Sequence, residues 1–317
     1  MSAPDADPAA KPTRGAGVAS WLYDAPVLLL TLTTLFWGMN AVMGRAAVGE
    51  ISPFQLTFLR WVLVSAALWL LFGHEVRAHW ETIRPKLGQI VLMAFFGFTA
   101  FNTLFYIAAE HTTAVNIGIL QGSMPVFVLL GAVALHNTPV SFVQSLGVAV
   151  TFVGVLVVAT RGALLDVFDL EFNEGDLLML LACVFYACYT VALRNRPNIP
   201  GRAFFTLMTP IAAVTAAPLA IVETVWWDVE APTVFGWTLA VLVAIFPSCL
   251  AQLFFLRGVD LIGPARAGVF INLVPVFAAL LAVLFLEETF ALYHATALTL
   301  VLSGIWLAQR KPRVQDS

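Results

Sequence analysis

The chain has 317 residues, of which 60% are apolar and only 11% are charged, and its mean hydropathy is +0.90. A soluble protein needs roughly 25% charged residues to cover its surface, so this composition excludes a soluble globular fold and predicts an integral membrane protein. The net charge of −3, without any long basic run, excludes a nucleic-acid-binding surface. Cys183, Cys188 and Cys249 lie in apolar segments without metal-ligand spacing, so we expect no metal site and no cofactor.

Residues 1 to 25 are polar and rich in Ala, Pro and Asp, which predicts a disordered cytoplasmic N-terminus. Beyond them, successive apolar runs are long enough to cross about 30 Å of hydrocarbon. Each run is predicted to be helical, because backbone groups in lipid must bond within their own segment. The ten predicted helices cover residues 26 to 47, 54 to 72, 88 to 109, 113 to 135, 139 to 160, 176 to 193, 203 to 222, 235 to 256, 264 to 286 and 290 to 309.

The chain contains an internal repeat, because the stretch from Phe96 to Gly162 returns 150 positions later as Phe246 to Pro312. Self-similarity in one register indicates a duplicated structural unit. Proline and glycine pairs carry most of the weight, since apolar residues match by chance. The shared pairs include Phe105/Phe255, Gly118/Gly268, Pro125/Pro275, Val126/Val276, Phe127/Phe277 and Gly154/Gly304.

The repeat predicts an all-α membrane fold of two five-helix units, residues 26 to 160 and 176 to 309, joined by an external linker at 161 to 175. Five crossings are an odd number, so the second unit should enter the membrane upside down as an inverted-topology repeat. Lys and Arg concentrate on the cytoplasmic side. Placing both termini there, including the tail 310 to 317, leaves only Arg45 and Arg161 outside, so we expect a multi-pass protein of the cell inner membrane. The acidic loops Asp166 to Asp176 and Glu223 to Glu230 are then external.

Polar and aromatic side chains recur near the middle of the first, third, fourth, sixth, eighth and ninth predicted helices. Polar groups inside a span are costly, so their convergence at one depth predicts a central substrate cavity. The alternative is that they bond across helices and hold the bundle together, at about 0.6 kcal/mol each. The predicted substrate-binding residues are Trp37, Asn40, Arg60, Asn102, Gln121, Tyr186, Tyr189, Gln252 and Asn272, and the wider polar set adds Thr33, Thr99, Tyr106, Asn116 and Ser248.

Arg60 is the only basic residue well inside a predicted span, and no intramembrane carboxylate is an evident partner. Two interpretations remain. In the first, Arg60 has a structural role, in which it caps carbonyls or snorkels to the outer interface; in the second, it attracts an anionic group to the cavity. Pro125 and Pro275 each remove a helical hydrogen bond at mid-span, which gives either a static kink or a hinge for alternating access. The sequence places carboxylates only near span ends, so it does not indicate proton coupling.

These features resemble the EamA-type members of the drug/metabolite transporter superfamily, which contain two five-helix repeats. The resemblance covers about residues 26 to 310. One departure is the segment His136 to Pro139, where the family's first repeat usually carries a glutamate. The matching segments are Phe36 to Asn40, Phe58 to Arg60, Asn116 to Phe127, Asn272 to Phe277 and Leu286 to Glu288.

The resemblance implies a secondary transporter of the permease type, often an exporter of amino acids, metabolites or drugs, with its site in the central cavity. We therefore expect a small-molecule substrate, such as an amino acid or another amphiphile, and the lipid bilayer as partners, with either a monomer or a homodimer as the assembly. No catalytic residue is predicted, because no serine with a nearby base and no acid–histidine cluster lies at span depth. A membrane scaffold or sensor without transport is the alternative.

Overall fold

The structure, a computed structural model, describes residues 24–137, 139–163, 173–226 and 229–309. Within these ranges the regular secondary structure is entirely helical. The predicted tail, most of the linker and the N-terminal segment up to residue 23 lie outside them. The ten helices are α1 Pro26–Ala46, α2 Pro53–Ala78, α3 Trp80–His111, α4 Ala114–His136, α5 Phe142–Ala159, α6 Glu174–Asn195, α7 Gly201–Trp226, α8 Val234–Ile262, α9 264–286 and α10 Leu292–Ala308.

Nine helices in the described part of the chain are long and apolar enough to span a membrane, and α10 is a shorter apolar helix. The ten predicted membrane helices are thus confirmed, but several boundaries were wrong. α2 continues to Ala78, and α3 already begins at Trp80, ahead of the predicted residue 88. The length of an apolar run follows the thickness of the hydrocarbon layer, whereas a hydrogen-bonded helix can continue into the polar interface.

The helix contacts between the two halves come in pairs that the repeat relates to each other. α2 packs against its counterpart α7, and α5 packs against its counterpart α10. The contact of α1 with α9 is matched by that of α6 with α4, and the contact of α1 with α8 is matched by that of α6 with α3. Such paired contacts are the pattern expected of two five-helix repeats related by a two-fold axis.

The α5–α10 pair depends on glycines that let the two backbones approach. A Cβ atom added to Gly154 would lie 2.9 Å from Cγ2 of Val301. One added to its repeat partner Gly304 would collide with Thr151. Small residues at helix interfaces are how membrane helices gain packing energy without a hydrophobic driving force. The glycine pair found in the repeat is therefore a packing feature of this interface.

α3 and α8 each change from α-helix to π-helix near the centre of the bundle. α3 contains a π-helical segment at Phe95–Ala100, and α8 contains one at Ala244–Leu250, which is the equivalent place in the second repeat. π-segments inside α-helices often occur at functional sites. The hydrophobic pattern did not reveal them, because one extra residue in a turn does not interrupt an apolar run.

α4 and α9 are each interrupted shortly before the predicted hinge proline. In α4, Gly122 and Ser123 separate the helical segments Ala114–Gln121 and Met124–His136. In α9, the 3₁₀ turn Ile271–Leu273 precedes the segment Val274–Leu286. Pro125 and Pro275 thus occupy the first turn of a new helical segment, where a missing N–H is tolerated. Both helices are interrupted beside these prolines, and the choice between a static kink and a hinge stays a prediction.

Candidate functional site

A cavity of about 610 Å³ lies at the centre of the bundle. All nine side chains predicted to bind substrate contribute to its lining, together with both hinge prolines. The π-segments of α3 and α8 and the interrupted parts of α4 and α9 border the same space. The predicted lining residues are Trp37, Asn40, Arg60, Asn102, Gln121, Pro125, Tyr186, Tyr189, Gln252, Asn272 and Pro275.

Arg60 of α2 is the only one of these residues with a formal charge, and 4% of its surface is exposed. Its Nε and Nη2 atoms donate to Oγ of Ser248 at 3.0 and 2.7 Å. Its Nη1 atom donates to Oδ1 of Asn102 and to the hydroxyl of Tyr106, each at 2.5 Å. The guanidinium carbon lies 5.0 Å from the ring centre of Trp61, within the range of a cation–π interaction. Every one of these partners is neutral.

The contacts of Arg60 bear on the two interpretations of this residue. It bonds to side chains rather than to backbone carbonyls, and its burial does not fit snorkelling to the interface. The ion pairs found among the described residues are Arg202 with Glu75 and Arg257 with Asp24, and none of them involves Arg60. A buried charge without a counterion is costly. The cavity therefore offers a positive charge that a bound anion would neutralise.

A neutral hydrogen-bond chain fixes the orientation of the guanidinium. Tyr106 accepts from Arg60 and donates to Oδ1 of Asn40 at 2.9 Å. Asn102 donates from Nδ2 to the carbonyl of Phe98 at 2.6 Å, which leaves its Oδ1 facing Arg60. Ser248 donates to the carbonyl of Val243 at 2.6 Å, a bond five residues back along the π-segment of α8. The two π-segments thus help to place two of the three side-chain acceptors of Arg60.

Aromatic rings form much of the remaining wall. Trp37 and Phe255 have ring centres 5.3 Å apart, and those of Tyr186 and Tyr189 are 5.4 Å apart. Phe98 lies 5.5 Å from Tyr189. Apolar walls with a few polar groups are typical of small-molecule sites. These rings suit a flat or branched apolar group.

Two amide oxygens of the lining are buried without a bonding partner among the described residues. They are Oε1 of Gln121 and Oδ1 of Asn272. The two residues belong to the interrupted parts of α4 and α9. Buried acceptors are normally satisfied, so such exceptions indicate a place for a missing donor. A ligand with an N–H group could supply it.

The cavity reaches only one end of the bundle. Its lining includes Arg196, Asp260 and Gln309, which lie at the C-terminal ends of α6, α8 and α10. Among the described residues, none from the opposite helix ends contributes to it. The end at Gln309 is called the open end below, and the opposite end is called the closed end.

Comparison with known proteins identifies the architecture that holds this cavity. The model of the EamA-like transporter family matches residues 25–160 and 173–309, and each matched segment contains five of the helices described above. The chain belongs to this family. The resemblance inferred from the sequence is thereby confirmed, and the EamA-like chain is a membrane transport protein.

Relatives of this EamA-like chain are transporters of unassigned substrate. The uncharacterized transporter YetK of Bacillus subtilis (strain 168) is 23% identical over 281 residues, which cover 88% of this chain and 85% of the relative. An uncharacterized transporter of Archaeoglobus fulgidus is 26% identical over 292 residues, which cover 90% of this chain and 97% of the relative. A crystal structure with 19% identity and a TM-score of 0.62 covers 90% of this chain and 96% of its own and shares the fold.

Four members of the wider polar set do not line the cavity of the EamA-like chain, and one of them, Tyr106, is the buried partner of Arg60 described above. Thr33 donates to the carbonyl of Ala251 at 3.1 Å, which connects α1 to α8. Thr99 donates to the carbonyl of Ala212 at 3.1 Å, which connects α3 to α7. For these two residues the interpretation as interhelical bonds is the correct one. The fourth, Asn116, lies near the closed end, in a buried polar cluster described below.

Two buried carboxylates were missed by the sequence analysis, which assigned them to external acidic loops. Asp176 lies in the first turn of α6 with 3% exposure, and Glu223 lies in α7 with 5% exposure. Glu223 accepts a hydrogen bond from the side chain of Ser52. For Asp176 a signal was present, because Asn173 is a good N-cap residue and α6 does begin directly after it.

Proposed function

We propose that this EamA-like chain is an inner-membrane secondary transporter, a permease that exports small metabolites by alternating access around the central cavity. Amino acids and other amphiphilic compounds are its proposed substrates. The observation that carries this proposal is the buried guanidinium of Arg60, which lines the cavity and bonds only to neutral groups.

The chemistry of the wall supports a substrate with three parts. A carboxylate would replace the counterion that Arg60 lacks among the described residues. A donor such as an ammonium group would satisfy the free oxygens of Gln121 and Asn272. An aromatic or branched group would fit between rings such as Trp37 and Tyr186. A zwitterion with an apolar side chain combines all three.

Direction is proposed from the open end of the cavity. The topology predicted from Lys and Arg puts the C-terminal ends of α6, α8 and α10 in the cytoplasm. A cavity that reaches those ends would take up its substrate from the inside, as an exporter must. The breaks in α4 and α9 supply equivalent flexible points in both repeats, which a rocking transition requires.

Ligand binding is tested by thermal unfolding of the purified protein with a panel of amino acids, other carboxylates and cationic metabolites. A ligand that binds the folded state raises the free energy of unfolding by mass action, by about 2.7 kcal/mol at a concentration of 100 Kd, and therefore raises the melting temperature. Zwitterions and anions with apolar side chains should stabilise, while cations without a carboxylate should not. Stabilisation only by cations would contradict the proposed site.

Transport is tested by counterflow of the labelled stabilising ligand in proteoliposomes. Accumulation of label against unlabelled ligand inside the vesicles is expected of a permease, and empty liposomes provide the background. A ligand that stabilises the protein but shows no counterflow would favour the alternative, a membrane scaffold or sensor.

A further inference from the structure

A second buried cluster of titratable side chains lies at the closed end, outside the cavity. It joins four residues that we call the closed-end network: Thr112, Asn116, Asp176 and His294. Asp176 and His294 are each 3% exposed. Thr112 and Asn116 donate to Oδ1 of Asp176 at 2.6 and 3.4 Å. Asn116 accepts from His294 at 3.2 Å, so one amide connects the carboxyl group to the imidazole.

The hydrogen bonds define the protonation state of the imidazole. The backbone N–H of Ala291 donates to Nδ1 of His294 at 2.9 Å, so this nitrogen carries no proton. The ring proton is then on Nε2, where it is donated to Oδ1 of Asn116. If Nδ1 also carried a proton, two hydrogen-bond donors, Nδ1–H and the Ala291 N–H, would point at each other and no bond could form. Protonation is therefore incompatible with this arrangement, and the ring would have to leave it.

The first repeat contains the same bond with a side chain that does not titrate. Gln144, which is 150 positions before His294, accepts the backbone N–H of Ser141 at 2.9 Å through Oε1. Both residues occupy the third position of their helix, α5 or α10. The structural need at this position is thus an acceptor for one N–H group, which an amide meets at every pH. His294 meets it only while it is neutral.

The network lies where the closed end is held together. Glu288, between α9 and α10, accepts the backbone N–H groups of Ala114 and Val115 at 2.8 and 2.9 Å, which ties it to the first turn of α4. His294 ties the start of α10 to Asn116 in the same turn. Opening this end requires the α9–α10 corner to separate from α4. Loss of the imidazole bonds removes one of the two ties.

Groups of both signs surround His294. The rings of Phe290 and Tyr293 lie 5.6 and 4.0 Å from the imidazole. Arg161, after α5, interacts electrostatically with Asp176 and Tyr293. The facing part of α4 brings the uncharged amide Asn116. The titratable or charged groups described at this end include Arg45, Glu50, Glu110, His111, Arg161, Glu174, Asp176, Glu223, Glu230, Glu287, Glu288 and Tyr293.

We propose that His294 is a proton-binding site through which a proton from the side of the closed end opens that end of the transporter. The proton binds to the lone pair of Nδ1, the Ala291 N–H loses its acceptor, and the imidazolium gives up its place beside Asn116. Asp176 is the acidic group of the same network and is connected to the imidazole through Asn116. The inference deepens the proposed function, because it assigns the proton as the ion that biases the two states of alternating access.

The test is hydrogen–deuterium exchange of the full-length protein in lipid nanodiscs, with wild type and His294→Gln compared at the same pH. Equal pH cancels the chemical exchange rate and leaves the opening of the structure. At pH 8 both proteins should protect residues 112–117 and 286–296 equally. At pH 5.5 the wild type should exchange at least about tenfold faster there, while His294→Gln stays protected because it copies Gln144. His136→Gln, which changes a histidine near the open end, should respond to pH as the wild type does.

Imidazole ¹⁵N NMR of the wild type gives a second readout that requires no folded variant, and His294→Gln assigns the signal where it folds. The His294 signal should change from the neutral Nε2–H form to the doubly protonated form between pH 8 and 5. A ring that stays neutral to pH 5, or equal pH dependence of exchange in wild type and His294→Gln, would overturn the inference. Neither experiment uses a substrate. If counterflow is observed but exchange at the closed end does not depend on pH, only the proton site is rejected. If exchange at the closed end depends on pH but no counterflow is observed, only the transport proposal is rejected.

Discussion

Replacing Arg60 by Gln tests the site most directly, because this residue supplies the formal charge among the predicted binding residues. The change removes the charge and shortens the side chain, but it keeps an amide donor for Ser248 or Asn102. We expect weaker binding of carboxylate ligands with little change in the binding of neutral analogues. Arg60→Lys is the matched control, since it retains the charge and loses the forked geometry.

The magnitude follows from the surroundings of the guanidinium. A hydrogen bond to a charged group contributes about 1.5 to 3 kcal/mol. Each 1.4 kcal/mol changes Kd about tenfold, so Arg60→Gln should raise the Kd of a carboxylate ligand roughly 10- to 100-fold. A Coulomb energy of about 4 kcal/mol at 4 Å and an effective dielectric constant of 20 sets an upper bound.

Stability should respond differently from affinity. The substitution removes four bonds to neutral acceptors, which destabilises the fold, and it also removes a buried charge without a counterion, which stabilises it. These terms oppose each other, so we expect the melting temperature without ligand to change by only a few degrees, at about 2 to 4 °C per kcal/mol.

The assay pairs isothermal titration calorimetry with thermal unfolding, using the best carboxylate ligand of the panel and its methyl ester. Wild type should prefer the acid over the ester, Arg60→Lys should keep part of that preference, and Arg60→Gln should lose it. An equal loss of affinity for acid and ester, together with a fall of more than about 10 °C in melting temperature, would show that Arg60 holds the fold and does not select an anion.

Three further predictions concern topology, the amides and the repeat interface. A cysteine replacing Arg84 should be protected from an impermeant thiol reagent added to intact cells, whereas one in the external linker should react, and the reverse would refute the orientation. Gln252→Leu should weaken ligand binding without lowering the melting temperature. Asn102→Leu should lower both the affinity and the melting temperature, because it leaves an N–H donor of Arg60 without its acceptor. An equal fall in melting temperature for the two variants would favour a structural role for both residues. Gly304→Ala should destabilise by about 1 to 3 kcal/mol in thermal unfolding, since its Cβ would collide with α5. Its control Gly268→Ala meets nothing within 4 Å and should be neutral or stabilising, so equal effects would refute the packing argument.

The sequence predicted the ten helices, the repeat and the cavity lining for clear physical reasons. Hydrocarbon thickness sets the helix lengths, and the cost of polar groups in lipid places them in the interior. It could not predict which polar residue binds which neighbour. Thr33 and Asn102 look alike as polar residues of apolar helices, yet one bonds a backbone carbonyl and the other bonds Arg60. In a membrane protein both lipid-facing and buried surfaces are apolar, so hydropathy does not reveal helix partners.

The closed-end network was missed for a related reason. Asp176 follows an acidic loop in the sequence, and its burial depends on contact with Thr112 from another helix corner. His294 stands alone in an apolar helix, and only the fold brings it to Asn116. The sequence analysis looked for proton-coupling groups at the depth of the membrane spans. It did not consider the helix ends, where tertiary contacts bury Asp176 and His294.

The two ends of the molecule are built from equivalent parts but are sealed by different chemistry. At the closed end, a carboxylate binds two N–H groups of α4, and hydrogen bonds to a charged group contribute about 1.5 to 3 kcal/mol. In the sequence, the position equivalent to Glu288 is Thr138, and the position equivalent to Asn116 is Arg266. These two positions of the sequence therefore supply neither the carboxylate nor the asparagine found at the closed end. A difference of even 1.4 kcal/mol between two seals changes the ratio of the two states about tenfold. An EamA-like repeat protein whose closed end gains this carboxylate tie should thus rest with that end closed, which is the state of this structure.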